Sequence, residues 1–238
     1  MDKTLKLLIL IVILPFITLA QSSKRQYVGL SIGPSIPLSD FARKDLNDST
    51  SGFAKTGVAL NFTYAYRFSH NFGMQLVVNY SGNKLDNVAY ADGLMKAHPG
   101  YGVTVESTQN WSSGGAFGGP YFRFPIGDAF SIDVRGLIGY FGSNSPKATI
   151  YTANINNPSD KDTYYRESSR STGFGYLLGA GFKYRLSHYY ITAFADYIGS
   201  ELYFKEVTGW NWDNEPYATS FAQKINYLSL TLGLAYIL

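Results

Sequence analysis

The side chains of this sequence that could do chemistry are few and scattered. Histidine occurs three times, at positions 70, 98 and 188. A hydrolytic triad needs a serine or comparable nucleophile beside a base that a third group orients. His70 and His188 fall in short turns and His98 in a long polar stretch, and none stands on a strand beside a plausible serine. Two acid pairs, Asp160 with Asp162 and Asp213 with Glu215, lack the fuller spacing of a calcium loop, so they read as solvated carboxylates and no metal site is expected. No cofactor motif is present. The charges that do recur in a pattern are Arg123, Asp133, Arg135, Lys183, Arg185 and Asp196, each on the polar side of a run of alternating residues. Arg123 and Asp133 are predicted to sit diagonally across one hairpin with Arg135 as the next residue on the same face, within reach for an ion pair.

The elements that carry these charges read as strands. In residues 57–68, Val58, Leu60, Phe62, Tyr64, Tyr66 and Phe68 alternate with Gly57, Ala59, Asn61, Thr63, Ala65 and Arg67. One face is oily and the other small or polar, the period of a pleated strand. The same period predicts strands over 27–36, 72–81, 118–124, 130–140, 174–186, 189–197 and 226–238. Short turns at 69–71, 125–128 and 187–188 join them into hairpins. Long polar connections over 39–55, 83–113, 143–171 and 200–224 alternate with those turns.

Composition bounds the class. The 238 residues are 45% hydrophobic and 16% aromatic, with a net charge of +3 and no cysteine. Disulfides are therefore impossible, and the lipid-bearing Cys of a lipoprotein is missing. Lys and Arg form no cluster that would track phosphates, which argues against a nucleic-acid partner. Lys3 and Lys6 precede an apolar run and then Thr18-Leu19-Ala20. That pattern reads as an export signal removed after residue 20, too short for the roughly 20 apolar residues of a spanning helix. No later stretch is long and apolar enough to span a membrane as a helix. If residues 21–238 enter a membrane, they must do so as a closed sheet, because lipid cannot hydrogen-bond an open edge.

The character of the two faces favours that reading over a soluble sandwich or a soluble ligand-binding barrel. Gly, Ala and charged residues suit a cramped interior. The other face is bulky throughout, and Phe68, Phe72, Phe124, Phe130, Tyr184 and Tyr189 share one depth near the turns, as an interfacial aromatic belt would. The expected fold is an all-β, transmembrane, antiparallel up-and-down barrel of about eight strands. Its termini and turns are expected in the periplasm and its long loops outside the cell. An interior of that size holds little beyond its own side chains, so buried charges must pair. Structural filling is favoured over a gate or narrow ion path.

Two features carry a resemblance to known proteins. Thr231, Gly233, Tyr236 and Leu238 resemble the C-terminal signal by which outer-membrane barrels are recognised for insertion, although Leu is less common than Phe at the last position. The block 119–126 (GPYFRFPI) running into 131–140 (SIDVRGLIGY) resembles the small outer-membrane β-barrel family of Bacteroidota that includes PorT-like proteins, and more distantly the OmpA and OmpX barrels. The resemblance spans nearly all of 21–238. It implies an outer-membrane location, contact with outer-membrane lipid and lipopolysaccharide, and the barrel assembly machinery as a partner during insertion. It implies no single activity, since members of such a fold differ in function. The expected role is structural or surface interaction without a through-pore, with a narrow pore or secretion-machinery component as the alternative. A lipid A-modifying enzyme is disfavoured for want of a base beside a serine. Trp210, Trp212, Tyr164 and Tyr165 are candidates either for binding protein or glycan partners or for packing the loops together.

Overall fold

A computed structural model describes residues 25–157, 159–210 and 215–238. The expected export signal over 1–20, and the loop residues Trp212 and Asp213, lie outside the described residues. Among the described residues eleven strands and two helices follow in the order β1 (Gln26–Pro37), α1 (Ser39–Ala42), β2 (Gly57–Arg67), β3 (Phe72–Asn83), α2 (Asn87–Ala97), β4 (Tyr101–Ser107), β5 (Trp111–Ile126), β6 (Phe130–Asn144), β7 (Ala148–Asn154), β8 (Lys161–Arg166), β9 (Arg170–Leu186), β10 (Tyr189–Trp210) and β11 (Pro216–Ile237).

Pairing closes eight of these into a ring. β11 pairs with β1, then β2, β3, β5, β6, β9 and β10 follow in order, and β10 pairs with β11. Every contact in the ring is antiparallel between neighbours in the order of the chain, as in an up-and-down barrel. Closure removes the unpaired edges that an open sheet would leave in lipid. β8, β7 and β4 extend the sheet beyond the ring and touch β10 through the single pairing of Gly209 with Arg166.

The alternation read from the sequence sorts residues between the two faces. Leu60 is 46% exposed, Phe62 42%, Leu230 40% and Leu232 67%, whereas Asn61, Asp133 and Arg135 are 2%, 0% and 3% exposed. Oily side chains point away from the ring axis and polar ones into it, the reverse of a water-soluble globule. At the turn end, outward rings meet across strands: Phe130 with Tyr184 at 5.1 Å, Tyr189 with Tyr236 at 5.4 Å and Phe72 with Phe122 at 5.3 Å between centroids. The expected belt residues Phe68, Phe124 and Tyr189 are all exposed on this rim.

The long connections depart from expectation, because they are largely structured. Within the stretch 200–224, read as a polar loop, residues 200–210 and 216–224 continue β10 and β11 as paired strands from Glu201 opposite Lys224 to Trp210 opposite Pro216. A register shift between Phe204 and Val207, with Glu206 at φ +50°, breaks the two-residue period there and hides the strand from a pattern reading. β5 likewise begins at Trp111 rather than near residue 118, through a Ser-Gly run whose composition signals loop. The connection over 143–171 folds into β7 and β8. The connection over 83–113 contains α2 and β4, whose Ala91, Val103 and Val105 share a small core with Ala148 of β7. A membrane strand needs only about 9–11 residues, so the 22 residues of β10 and of β11 rise well past a bilayer.

Candidate functional site

Three layers of side chains fill the interior. Nearest the turns, Lys183 of β9 and Asp133 of β6 form an ion pair, Nζ to Oδ2 2.5 Å, with both side chains out of contact with solvent. The ammonium also lies 4.4 Å from the ring centre of Tyr27, 5.1 Å from Tyr190 and 5.5 Å from Tyr121. Three aromatic faces around one cation replace part of the hydration that burial removes.

One step along the axis, Arg135 grips Asp196 in a two-pronged contact, Nε donating to Oδ1 at 2.9 Å and Nη2 to Oδ2 at 2.7 Å. Its Nη1 donates to Gln75 Oε1 at 3.1 Å, and the guanidinium covers the Phe194 ring at 4.0 Å. Gln75 in turn donates from Nε2 to the Tyr27 hydroxyl at 2.7 Å. The two ion pairs are thus joined through Tyr27 and Gln75 into one network holding two cations and two carboxylates. Gly179 makes room for it, since a Cβ there would stand 2.0 Å from Asp196 Oδ1. Beyond it Tyr227 donates to Asn79 Oδ1 at 2.5 Å, and Asn79 Nδ2 donates to Asn61 Oδ1 at 2.6 Å.

The third layer is apolar. Val77, Phe117, Leu137, Phe141, Leu177 and Ile198 are fully buried, and above them Phe41 of α1, Trp111, Leu202, Phe204 and Ile225 continue the packing. Trp111 meets Phe41 and Phe204 edge to face, with centroids 5.5 and 5.8 Å away, and Phe204 stacks on Phe221 at 5.1 Å. Sequence reading assigned the interior small and charged residues and missed this plug. Its signal was present in the inward positions Phe117, Leu137, Phe141 and Leu177, which interrupt the small-polar face with large apolar side chains.

The predicted pairing of Arg123 with Asp133 is not formed. The two residues are direct partners across the β5–β6 hairpin rather than diagonal ones. Asp133 turns instead to Lys183, two residues beyond its own β9 partner Gly181. Arg123 lies half-buried nearer the mouth, 5.7 Å over the Tyr190 ring. Arg185 is also at the mouth, with Nε 3.5 Å from the Ser187 carbonyl. The structure therefore gathers Asp133, Arg135, Lys183 and Asp196 into the network and leaves Arg123 and Arg185 at its rim.

Other singled-out residues fall elsewhere. His188 Nδ1 lies 3.0 Å from Ser187 Oγ, but the two are sequence neighbours in an exposed turn, with Ser187 at φ +52°. Tyr164 is buried in the small sheet, Tyr165 is exposed, and Trp210 is half-buried at the end of β10. At the loop end Asp86 caps α2 by accepting from Ala89 N at 3.2 Å and pairs with Lys44 at 2.6 Å. Burial alone would raise its carboxyl pKa, but the hydrogen bonds from Lys44 and Ala89 outweigh that and hold it below the usual value. Asp48 accepts from the Thr50 hydroxyl and backbone and from Arg43, which holds its pKa at about 2. In β11, Thr231 is buried inside the ring, Gly233 packs against Ser31, and Tyr236 and Leu238 are exposed on the outer face.

Among solved structures the chain is similar to Ail, the attachment invasion locus protein of Yersinia pestis, at 14% identity and a TM-score of 0.44, over 90% of this chain and 99% of that one. A major outer membrane protein of Thermus thermophilus is similar at 12% identity and a TM-score of 0.44, over 90% and 98% of the two chains. OprG of Pseudomonas aeruginosa is similar at 13% identity and a TM-score of 0.41, over 90% and 96%. No curated protein matches it in sequence. The model of the outer membrane protein beta-barrel domain matches residues 7–236. With nearly the whole chain matched and an oily, closed ring around a polar interior, the protein belongs to the outer membrane protein beta-barrel domain family and is an integral barrel of the outer membrane.

Proposed function

We propose that this barrel is a plugged scaffold whose work is done at its loop end, by surface interaction rather than by conduction or catalysis. The observation that carries this reading is the filled lumen. A solute entering from the turns meets the Lys183–Asp133 and Arg135–Asp196 pairs, and beyond them the Asn79–Tyr227 contact set among fully buried aromatic and aliphatic side chains. Eight strands leave an interior just wide enough for such filling. In this reading residues 1–20 are an export signal, the termini and turns are periplasmic, and the structured loop end faces outward. Thr231, Gly233, Tyr236 and Leu238 serve insertion by the assembly machinery, and the outer face meets lipid and lipopolysaccharide. The likeness of 119–126 and 131–140 to PorT-like barrels of Bacteroidota belongs to the same reading. The role of the charged lumen residues is structural.

Single-channel recording in planar bilayers tests the plug. The expected outcome is a flat trace, and stepwise conductance from the purified protein would reinstate a narrow pore. Protease shaving of intact cells tests the orientation, with cleavage expected between β7 and β8 and none at the turn joining β2 and β3.

A further inference from the structure

Above the aromatic plug, residues from the loop end converge on a cleft of about 250 Å³. Phe53, Tyr90, Trp111, Tyr217 and Phe221 give it aromatic walls, and Arg166 of β8 supplies a cation. Ser49, Ser51, Thr219 and Gln223 stand among them as polar partners. The frame is fixed: Trp111 Nε1 donates to the Gly52 carbonyl at 2.9 Å, and Gln223 Nε2 donates to the Thr50 carbonyl at 2.8 Å.

Arg166 differs from the two cations of the lumen network. Its guanidinium lies over the Phe221 ring at 4.6 Å, and its buried Nε has no hydrogen-bond partner among the described residues. Among those residues no carboxylate forms an ion pair with it. Arg166 is half-buried as a whole, but a buried N–H of its guanidinium left without an acceptor is unfavourable, and an anion placed against the group would offset that cost.

Size and chemistry narrow the ligand. The volume falls below the roughly 300–1,000 Å³ of sites for drug-sized molecules, which suits one ring-sized ligand. Aromatic faces accept the C–H face of a sugar ring, hydroxyl and amide groups match its hydroxyls, and a guanidinium fork matches a carboxylate. From this we propose that the cleft binds a single acidic sugar residue, with its carboxylate on Arg166. The proposal deepens the surface-interaction reading by naming a ligand class. Binding to purified protein is independent of orientation and conductance, so the two readings fail separately.

The test is calorimetric titration of the full chain, refolded in detergent micelles, with glucuronate, glucose and benzoate. Glucuronate is expected to bind saturably, and both glucose and benzoate at least about tenfold more weakly. Arg166→Gln is expected to weaken glucuronate by at least about tenfold while keeping the heat-modifiable gel migration of a folded barrel. Should that variant fail to fold, Tyr217→Ala replaces it, with weaker glucuronate binding expected. A uronate-terminated oligosaccharide binding as tightly as the monosaccharide identifies a glycan end as the source, and binding confined to the monosaccharide identifies the free sugar; either result upholds the class. No saturable glucuronate binding, equal binding of glucose or benzoate, or unchanged binding by the folded variant would overturn the proposal.

Discussion

The two halves of the lumen are packed by opposite means within one ring of strands. Toward the turns the interior is held by two buried ion pairs joined through Tyr27 and Gln75, and toward the loops by a plug of Phe, Leu and Ile that would suit the core of a soluble protein. A polar network is favourable only when every member is satisfied, because a buried charge without its partner keeps the desolvation penalty and loses the attraction. Apolar packing degrades in proportion to the volume removed. The same lumen therefore has a half that tolerates no single loss of charge and a half that responds in degrees.

The largest effect should come from breaking the polar half. Asp196→Ala leaves the Arg135 guanidinium buried without its carboxylate and should cost about 3–5 kcal/mol, read by urea unfolding in detergent micelles. Replacing both partners together with apolar residues of similar volume should return most of that loss. If the double variant were as unstable as the single one, the penalty would lie in packing and the contrast between the halves would fail. In the apolar half, Leu137→Ala should cost about 2–5 kcal/mol according to how far Phe117, Phe141 and Leu177 close around the gap. Volume-conserving Leu137→Met should cost less than about 1.5 kcal/mol, a graded response that the polar half should not show.

The smallest effect is expected outside the membrane. Asp86→Ala removes the cap of α2 and the partner of Lys44, and should cost about 1 kcal/mol. Its carboxyl pKa lies below the usual value in the folded chain, so its contribution is complete above an unfolded pKa of about 3.9 and is lost as pH falls through the lower folded value. The stability difference between wild type and Asp86→Ala should therefore shrink between about pH 4 and the folded pKa, and a constant difference would remove the charge from this account.

Much of the barrel was legible because each strand's period declares which side faces lipid. Leu60, Phe62, Asn61 and Asp133 lie on the faces that alternation assigns. What escaped sequence reading was of two kinds. Partner choice among like candidates depends on register and side-chain reach, so Asp133 meets Lys183 rather than the nearer-seeming Arg123. Structure beyond the membrane was hidden where a local feature interrupts the period, as at the irregularity between Phe204 and Val207 or the Ser-Gly start of β5. Arg166 was not singled out, because it joins the aromatic cleft only once β7 and β8 fold back over the ring.

The central claim is that the oily face meets lipid while the loop end stands in water. The chain has no cysteine, so single-cysteine variants report one site each. Spin labels at Leu232→Cys on the outer face and Thr219→Cys at the loop end, in lipid bilayers, should divide cleanly under power saturation. The Leu232 label is predicted to relax with oxygen and to be shielded from a water-soluble nickel complex, and the Thr219 label to show the reverse. A Leu232 label that relaxes with nickel as readily as the Thr219 label would contradict the account.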